Sequence, residues 1–207
     1  MKRLLFLAVL VLEFLGVSAC SKTTKPEPVT QAETGSSSNI QIASETSAAD
    51  TEWYFTEFER LGFSTFRNYT AFPKLTFSDF SGTLYTIDDF AGKIVLFNIW
   101  ATWCPPCKME MPGIQKLHDA KVSENFIIVA VSTGENPRTV SEFLKETKYT
   151  FPVFLDPSST LGAQLASRGI PTTYIINKKG RVLAGTIGAR AYDGAEFIKL
   201  IERLSSE

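Results

Sequence analysis

Histidine is almost missing from this 207-residue chain, with His118 standing alone. One imidazole leaves little room for histidine-based acid–base chemistry. With two cysteines nearby and no fourth ligand in sight it does not complete a tetrahedral zinc site, so His118 reads as a surface residue of a helix. Cysteine is scarce too: Cys20, Cys104 and Cys107 are the only three. Three thiols offer little for structural cross-linking in a chain of this length. Neither sign of charge dominates. Beyond residue 19 the chain carries 19 Lys and Arg against 21 Asp and Glu, which gives no concentrated basic face for nucleic acid. The apolar stretch Leu4–Leu15, broken by Glu13, falls well short of the ~20 residues that a comfortable membrane-spanning helix needs.

What is present at the start is the layout of a secretory signal: Lys2-Arg3, the apolar stretch, then Gly16-Val17-Ser18-Ala19-Cys20. Its end resembles a bacterial lipobox. That resemblance implies that residues 1–19 are a signal peptide and that Cys20 is lipidated and becomes the mature N-terminus. The alternatives are an ordinary signal peptide with a chance cysteine, or an uncleaved anchor. Residues 20–51 are rich in Ser, Thr, Glu, Gln, Ala and Pro. Such composition buries too little apolar surface to offset ordering entropy, and it reads as a flexible tether with an end-to-end distance of ~30 Å. Residues 52–71 crowd Trp53, Tyr54, Phe55, Phe58, Phe63, Phe66 and Tyr69 together. They read either as an extension packed on the domain or as a partner-docking segment.

From about Phe72 the pattern becomes regular. Leu75-Thr76-Phe77 and Leu84-Tyr85-Thr86 flank a turn and predict a hairpin. Ile87-Asp88-Asp89-Phe90 looks like one helical turn. The apolar runs at 94–100 and 126–132 predict buried strands, with a short strand at 153–155. Thr172–Ile176 and Val182–Thr186 flank Asn177-Lys178-Lys179-Gly180, a hairpin-type turn. Helices are expected from Trp103 to about Ala120, from Asn136-Pro137 onward, and over Ser158–Ser167. A last helix should start in a capping-box-like Asp193-Gly194-Ala195-Glu196. Strands alternating with helices and ending in a hairpin indicate one α/β domain over residues 72–207.

Within that pattern, Trp103-Cys104-Pro105-Pro106-Cys107 lies where a strand hands over to a helix. A cysteine at a helix start meets unpaired N–H groups and the positive end of the helix dipole, and both stabilise a thiolate. Lowering a thiol from pKa ~8.5 to ~7 raises its thiolate fraction at neutral pH from a few per cent to about half. With Cys20 assigned to lipid, this pair is free of structural duty. Thiol–disulfide chemistry is the leading reading.

The segment from Asn98 to Cys107 resembles the active site of the thioredoxin superfamily. Extended through Lys108-Met109-Glu110-Met111-Pro112, it is similar to the TlpA/ResA branch, membrane-anchored extracytoplasmic thiol–disulfide oxidoreductases of the cytochrome c maturation type. The likeness covers roughly residues 72–207 and includes Gly169-Ile170-Pro171-Thr172-Thr173. It implies a thioredoxin-like α/β fold: a central mixed sheet flanked by helices, an N-terminal β-hairpin, and a strand–helix insert between about residues 126 and 155. It further implies that Cys104 is an exposed nucleophile, Cys107 a shielded resolving thiol, and the two together a redox-active disulfide. Pro171 would be a cis-proline that leaves Ile170 backbone groups free for an extended substrate, and Trp103 would shield Cys104 and offer an apolar contact. Asn98 stands where thioredoxin itself has a buried aspartate, so Glu110 would take a proton from Cys107 or tune its pKa. Peroxiredoxin chemistry is disfavoured, because Ala101 occupies the position where those enzymes need Thr.

The implied activity is a monomeric protein-disulfide reductase without metal or cofactor. It would draw electrons from a membrane thiol carrier and act on oxidised proteins such as apocytochrome c. Reduction is favoured over oxidation because the dipeptide between the cysteines lacks the histidine common in the oxidases. The competing readings are a disulfide oxidase or isomerase, and a metallochaperone that holds copper or zinc between Cys104 and Cys107.

Overall fold

A computed structural model of the chain describes residues 53–207; the expected signal peptide (1–19), Cys20 and the expected tether (20–51) lie outside them. Helix α1 (Trp53–Arg60) buries Tyr54, Phe55 and Phe58. It is followed by the two-residue strand β1 (Ser64–Thr65). Four rings of the aromatic segment, Tyr54, Phe55, Phe58 and Phe63, therefore join the domain's own core, whereas Tyr69 stays exposed. Phe63 stacks on Phe197 with ring centroids 5.8 Å apart, and the Arg203 guanidinium lies 3.6 Å over the Trp53 ring. No single helical stripe served these rings because the chain turns at Gly62, where φ is +79°, a conformation that costs glycine little.

The predicted hairpin is β2 (Phe77–Ser78) and β3 (Leu84–Tyr85), with Asp79 Oδ1 accepting the backbone N–H groups of Ser81 and Thr83 in its turn. A 3-10 turn (Ile87–Phe90) follows. Strand β4 (Ile94–Trp100) has all seven residues buried. Then come α2 (Pro105–Asp119), β5 (Phe126–Thr133), α3 (Pro137–Thr147), β6 (Val153–Asp156) and α4 (Thr160–Leu165). Strands β7 (Thr172–Ile176) and β8 (Val182–Ile187) precede α5 (Ala195–Ser206). Among the described residues no helix is long and apolar enough to cross a membrane.

All eight strands make one mixed sheet in the order β1-β8-β7-β4-β5-β6-β2-β3. β4, β5 and β6 run parallel, and the remaining pairs are antiparallel. A strand buried on both faces needs apolar residues without alternation, which is what Ile94–Phe97 supplies before the buried Asn98. Leu96 and Trp100 join a core with Met111, Ile114 and Leu117 of α2 and Phe197 and Ile201 of α5. Phe97 and Ile99 point to the other face, where they meet Phe72, Phe77, Val131 and Leu161. On that face α4 approaches β5 closely: a Cβ at Gly162 would lie 2.2 Å from Thr133 Oγ1.

Two helix starts depart from the sequence reading. α4 begins at Thr160, because Ser159 takes φ +58° as its N-cap while its N–H is committed to the Asp156 carbonyl at 3.0 Å. The expected capping box of α5 does not form. Gly194 is the N-cap without a side-chain cap, and Asp193 accepts instead from Lys116 Nζ at 2.8 Å.

Candidate active site

The sulfurs sit where β4 passes into α2. Cys104 is the N-cap of α2, with extended backbone (φ −89°, ψ 105°), and Pro105 and Pro106 open the helix. Proline suits those first positions because their N–H groups have no carbonyl to meet inside the helix. The Cys107 N–H points at Cys104 Sγ, 3.2 Å away, and the two cysteines form a disulfide with their Cα atoms 5.3 Å apart. Cys104 is expected to be an exposed nucleophile; in the disulfide form it is only 2% exposed, and Cys107 is fully buried. The cause is the N-cap geometry, which folds the Cys104 side chain back over the first helical turn and under the loop that carries Ile170. Trp103, by contrast, is 65% exposed, so it presents an apolar surface beside the sulfurs.

That loop runs from α4 into β7 at the same end of the sheet as the C-terminal end of β4. Gly169 takes φ +131°, a region that L side chains rarely adopt, and the Ile170–Pro171 peptide bond is cis. The Ile170 carbonyl oxygen lies 3.7 Å from Cys104 Sγ, and Gly188 N–H donates to the Pro171 carbonyl at 2.8 Å. Cys104, Ile170 and Pro171, far apart in sequence, are thus brought together by the β4–β7 pairing.

Beneath the disulfide lies a buried polar group. Glu110, one helical turn past Cys107, is 3% exposed. Asn98 Nδ2 donates to Glu110 Oε1 at 2.8 Å and to Thr173 Oγ1 at 2.9 Å. The Arg190 backbone N–H reaches Glu110 Oε2 at 3.1 Å. Tyr192 O–H donates to Thr173 Oγ1 at 2.7 Å, which places a second buried hydroxyl in the network. Burial pushes the Glu110 carboxyl up to about 7, against the Asn98 and Arg190 hydrogen bonds that pull it down. Burial likewise holds the Tyr192 phenol well above its ordinary value. The Asn98 amide oxygen has no partner.

Sequence reasoning missed Glu135. This buried carboxylate accepts the Thr102 N–H at 2.8 Å, the Thr102 hydroxyl, and the Ser132 hydroxyl at 2.6 Å. It pins the loop that leads into Cys104. Register could have found it: Trp100 and Ser132 are partners in parallel strands, so residues just beyond β5 lie beside residues just beyond β4. Thr173, Arg190 and Tyr192 left no comparable signal. Trp100 is core, with no exposure, and His118 is half-buried on α2. Among the described residues no group of three or more His, Cys, Asp or Glu gathers as a metal site would require.

Comparison with known proteins agrees with this geometry. The chain is 34% identical over 110 residues to the thiol-disulfide oxidoreductase ResA of Geobacillus thermodenitrificans, covering 53% of this chain and 63% of that protein. It is 30% identical over 124 residues to ResA of Bacillus cereus, covering 60% and 72%. The chain thus spans a little under two thirds of the first of these relatives. Among solved structures, StoA from Bacillus subtilis superposes with a TM-score of 0.53 at 28% identity, covering 67% of this chain and all of that one. The description "AhpC/TSA family" fits residues 69–184. With that match spanning more than half of the chain and a thioredoxin-like sheet built around its CxxC, the protein belongs to the AhpC/TSA family, on the side of its ResA-like thiol–disulfide oxidoreductases.

Proposed function

We propose that this protein is an extracytoplasmic, lipid-anchored thiol–disulfide oxidoreductase that reduces disulfides in proteins such as apocytochrome c. The observation that carries the reading is the placement of the Cys104–Cys107 disulfide at the α2 N-terminus, 3.7 Å from the Ile170 carbonyl that precedes Pro171. The anchor at Cys20 and the location rest on the signal-like first residues.

In the reduced protein Cys104 is the thiolate, stabilised by the Cys107 N–H and the helix dipole. It attacks one sulfur of the substrate disulfide, and the other sulfur leaves as a thiolate. The substrate is then held as a mixed disulfide, its extended backbone beside Ile170 and an apolar side chain against Trp103. Cys107 gives its proton to the Glu110 carboxylate and attacks Cys104 Sγ. That step re-forms the Cys104–Cys107 disulfide and releases the second substrate thiolate. Two electrons have passed from the protein to the substrate, and a membrane dithiol restores the reduced pair. A carboxyl held near 7 suits this transfer, because it accepts and returns a proton at working pH.

A titration in glutathione buffers tests the direction. The reductase reading expects a couple well below ~−120 mV, the value of a strong disulfide oxidant. A couple at that value assigns the protein to oxidation instead.

A further inference from the structure

Beside the cis-proline loop lies a cleft of about 420 Å³ whose polar lining carries no carboxylate. Two arginines line it, Arg168 and Arg190. Arg190 is held in place by neutral acceptors, with Nε donating to Thr186 Oγ1 at 3.0 Å and Nη2 to the Gly62 carbonyl at 2.8 Å. Its cation is therefore fixed but not neutralised. Arg168 forms no ion pair among the described residues. It lies close enough to Tyr174 for its charge to act on that phenol. Ser64 and Gln164 add neutral polar groups.

The cleft adjoins the cis-proline loop along the chain. Thr172 and Ile187, a pair in the β7–β8 register, line it. They directly follow Pro171 and precede Gly188, whose N–H is bonded to the Pro171 carbonyl. From Ile170 to Thr172 is roughly 7 Å of extended chain. A polypeptide whose cysteine sits at Cys104 and whose backbone runs past Ile170 would send residues two or three positions away towards Thr172, which lines the cleft.

We infer that the Arg168–Arg190 cleft is a specificity subsite for an acidic side chain, Asp or Glu, two or three residues from the disulfide cysteine of the polypeptide substrate. The inference rests on the reductase reading. It deepens that reading by selecting among substrates: positive charge without a carboxylate partner attracts an anion, and a polypeptide anchored at Cys104 brings one at high effective concentration.

The test uses the reduced protein and three synthetic peptides that carry the same disulfide, with Glu, Gln or Lys placed two or three residues from the attacked cysteine. The readout is kcat/KM for each. The wild type should prefer the Glu peptide over the Gln peptide by about fivefold at low ionic strength, as expected for a partly exposed ion pair, and lose most of that preference in 0.5 M salt, roughly where screening shortens below 5 Å. In Arg168→Gln the ratio should fall towards one, and in Arg168→Glu the Lys peptide should become the preferred substrate. Reduction of all three peptides at equal rates, or a Glu preference that survives both Arg168 replacements, overturns the subsite and leaves the reductase reading standing. Failure of the wild type to reduce even the Gln peptide overturns the reductase reading itself, and the subsite with it.

Discussion

Asn98 and Glu110 meet across the sheet–helix interface, with Asn98 Nδ2 2.8 Å from Glu110 Oε1 in a fully buried setting. The amide at the centre of β4 holds a carboxyl on α2, where a single buried acid on β4 would otherwise have to do both jobs. The orphaned Asn98 Oδ1 gives the pair two possible arrangements. With the carboxylate ionised, Nδ2 donates to it. With the carboxyl protonated, a turned amide accepts its O–H.

Stability should therefore depend on pH through Glu110. Its carboxyl has an ordinary pKa of 4.5 in the unfolded chain and about 7 in the folded one. As pH rises the unfolded chain loses this proton first, so folding is penalised increasingly between those values and by a constant amount above them. Glu110→Gln should stabilise the protein by up to about 3 kcal/mol at pH 8 and by little near pH 4.5. Urea denaturation at both pH values measures this. An equal effect at both would show that the carboxyl is not burial-shifted.

The same substitution should impair turnover. If Glu110 takes the Cys107 proton, Glu110→Gln should slow the resolving step by about 100-fold and remove the limb of the pH–rate profile near pH 7. Stopped-flow reduction of a protein disulfide, scanned in pH, resolves the two effects. An unchanged profile would confine Glu110 to structure.

Glu135 is expected to matter through position. Replacing it with Ala strips an acceptor from the Thr102 N–H, the Thr102 hydroxyl and the buried Ser132 hydroxyl. The cost should be about 3 kcal/mol, with Glu135→Gln substantially milder, because an amide oxygen still accepts. Thermal unfolding of both variants checks the order.

The aromatic segment should carry stability too. Phe58 has no solvent exposure and packs against Phe63 at 5.6 Å. Phe58→Ala should cost about 4 kcal/mol, as large core truncations do. A loss below 1 kcal/mol would mean that α1 is dispensable to the fold.

The sequence made the α/β order legible because Ile94–Trp100 and Phe126–Ser132 are buried on both faces and need continuous apolar runs. It made the sulfur site legible because CxxC and Gly169-Ile170-Pro171 are local motifs. The partners of Glu110 were harder. Arg190 reaches it only through the chain beyond β8, Thr173 reaches Asn98 only through the β4–β7 pairing, and no local pattern announces a backbone N–H aimed at a carboxylate. Residues 53–71 resisted for a different reason: their rings serve a helix, a turn at Gly62 and an edge strand in quick succession, so no one period fits. Cys104 looked exposed in sequence because chemistry asks for access, whereas its N-cap geometry tucks the sulfur beneath Ile170.

If Cys104 attacks and Cys107 resolves, a variant without the resolving thiol must stall on its substrate. The most direct test is to mix reduced Cys107→Ser protein with a disulfide-bonded protein substrate and weigh the product by intact mass spectrometry. A stable one-to-one mixed disulfide through Cys104 should form, absent in wild type and in Cys104→Ser. Normal turnover by Cys107→Ser with no trapped adduct would contradict it.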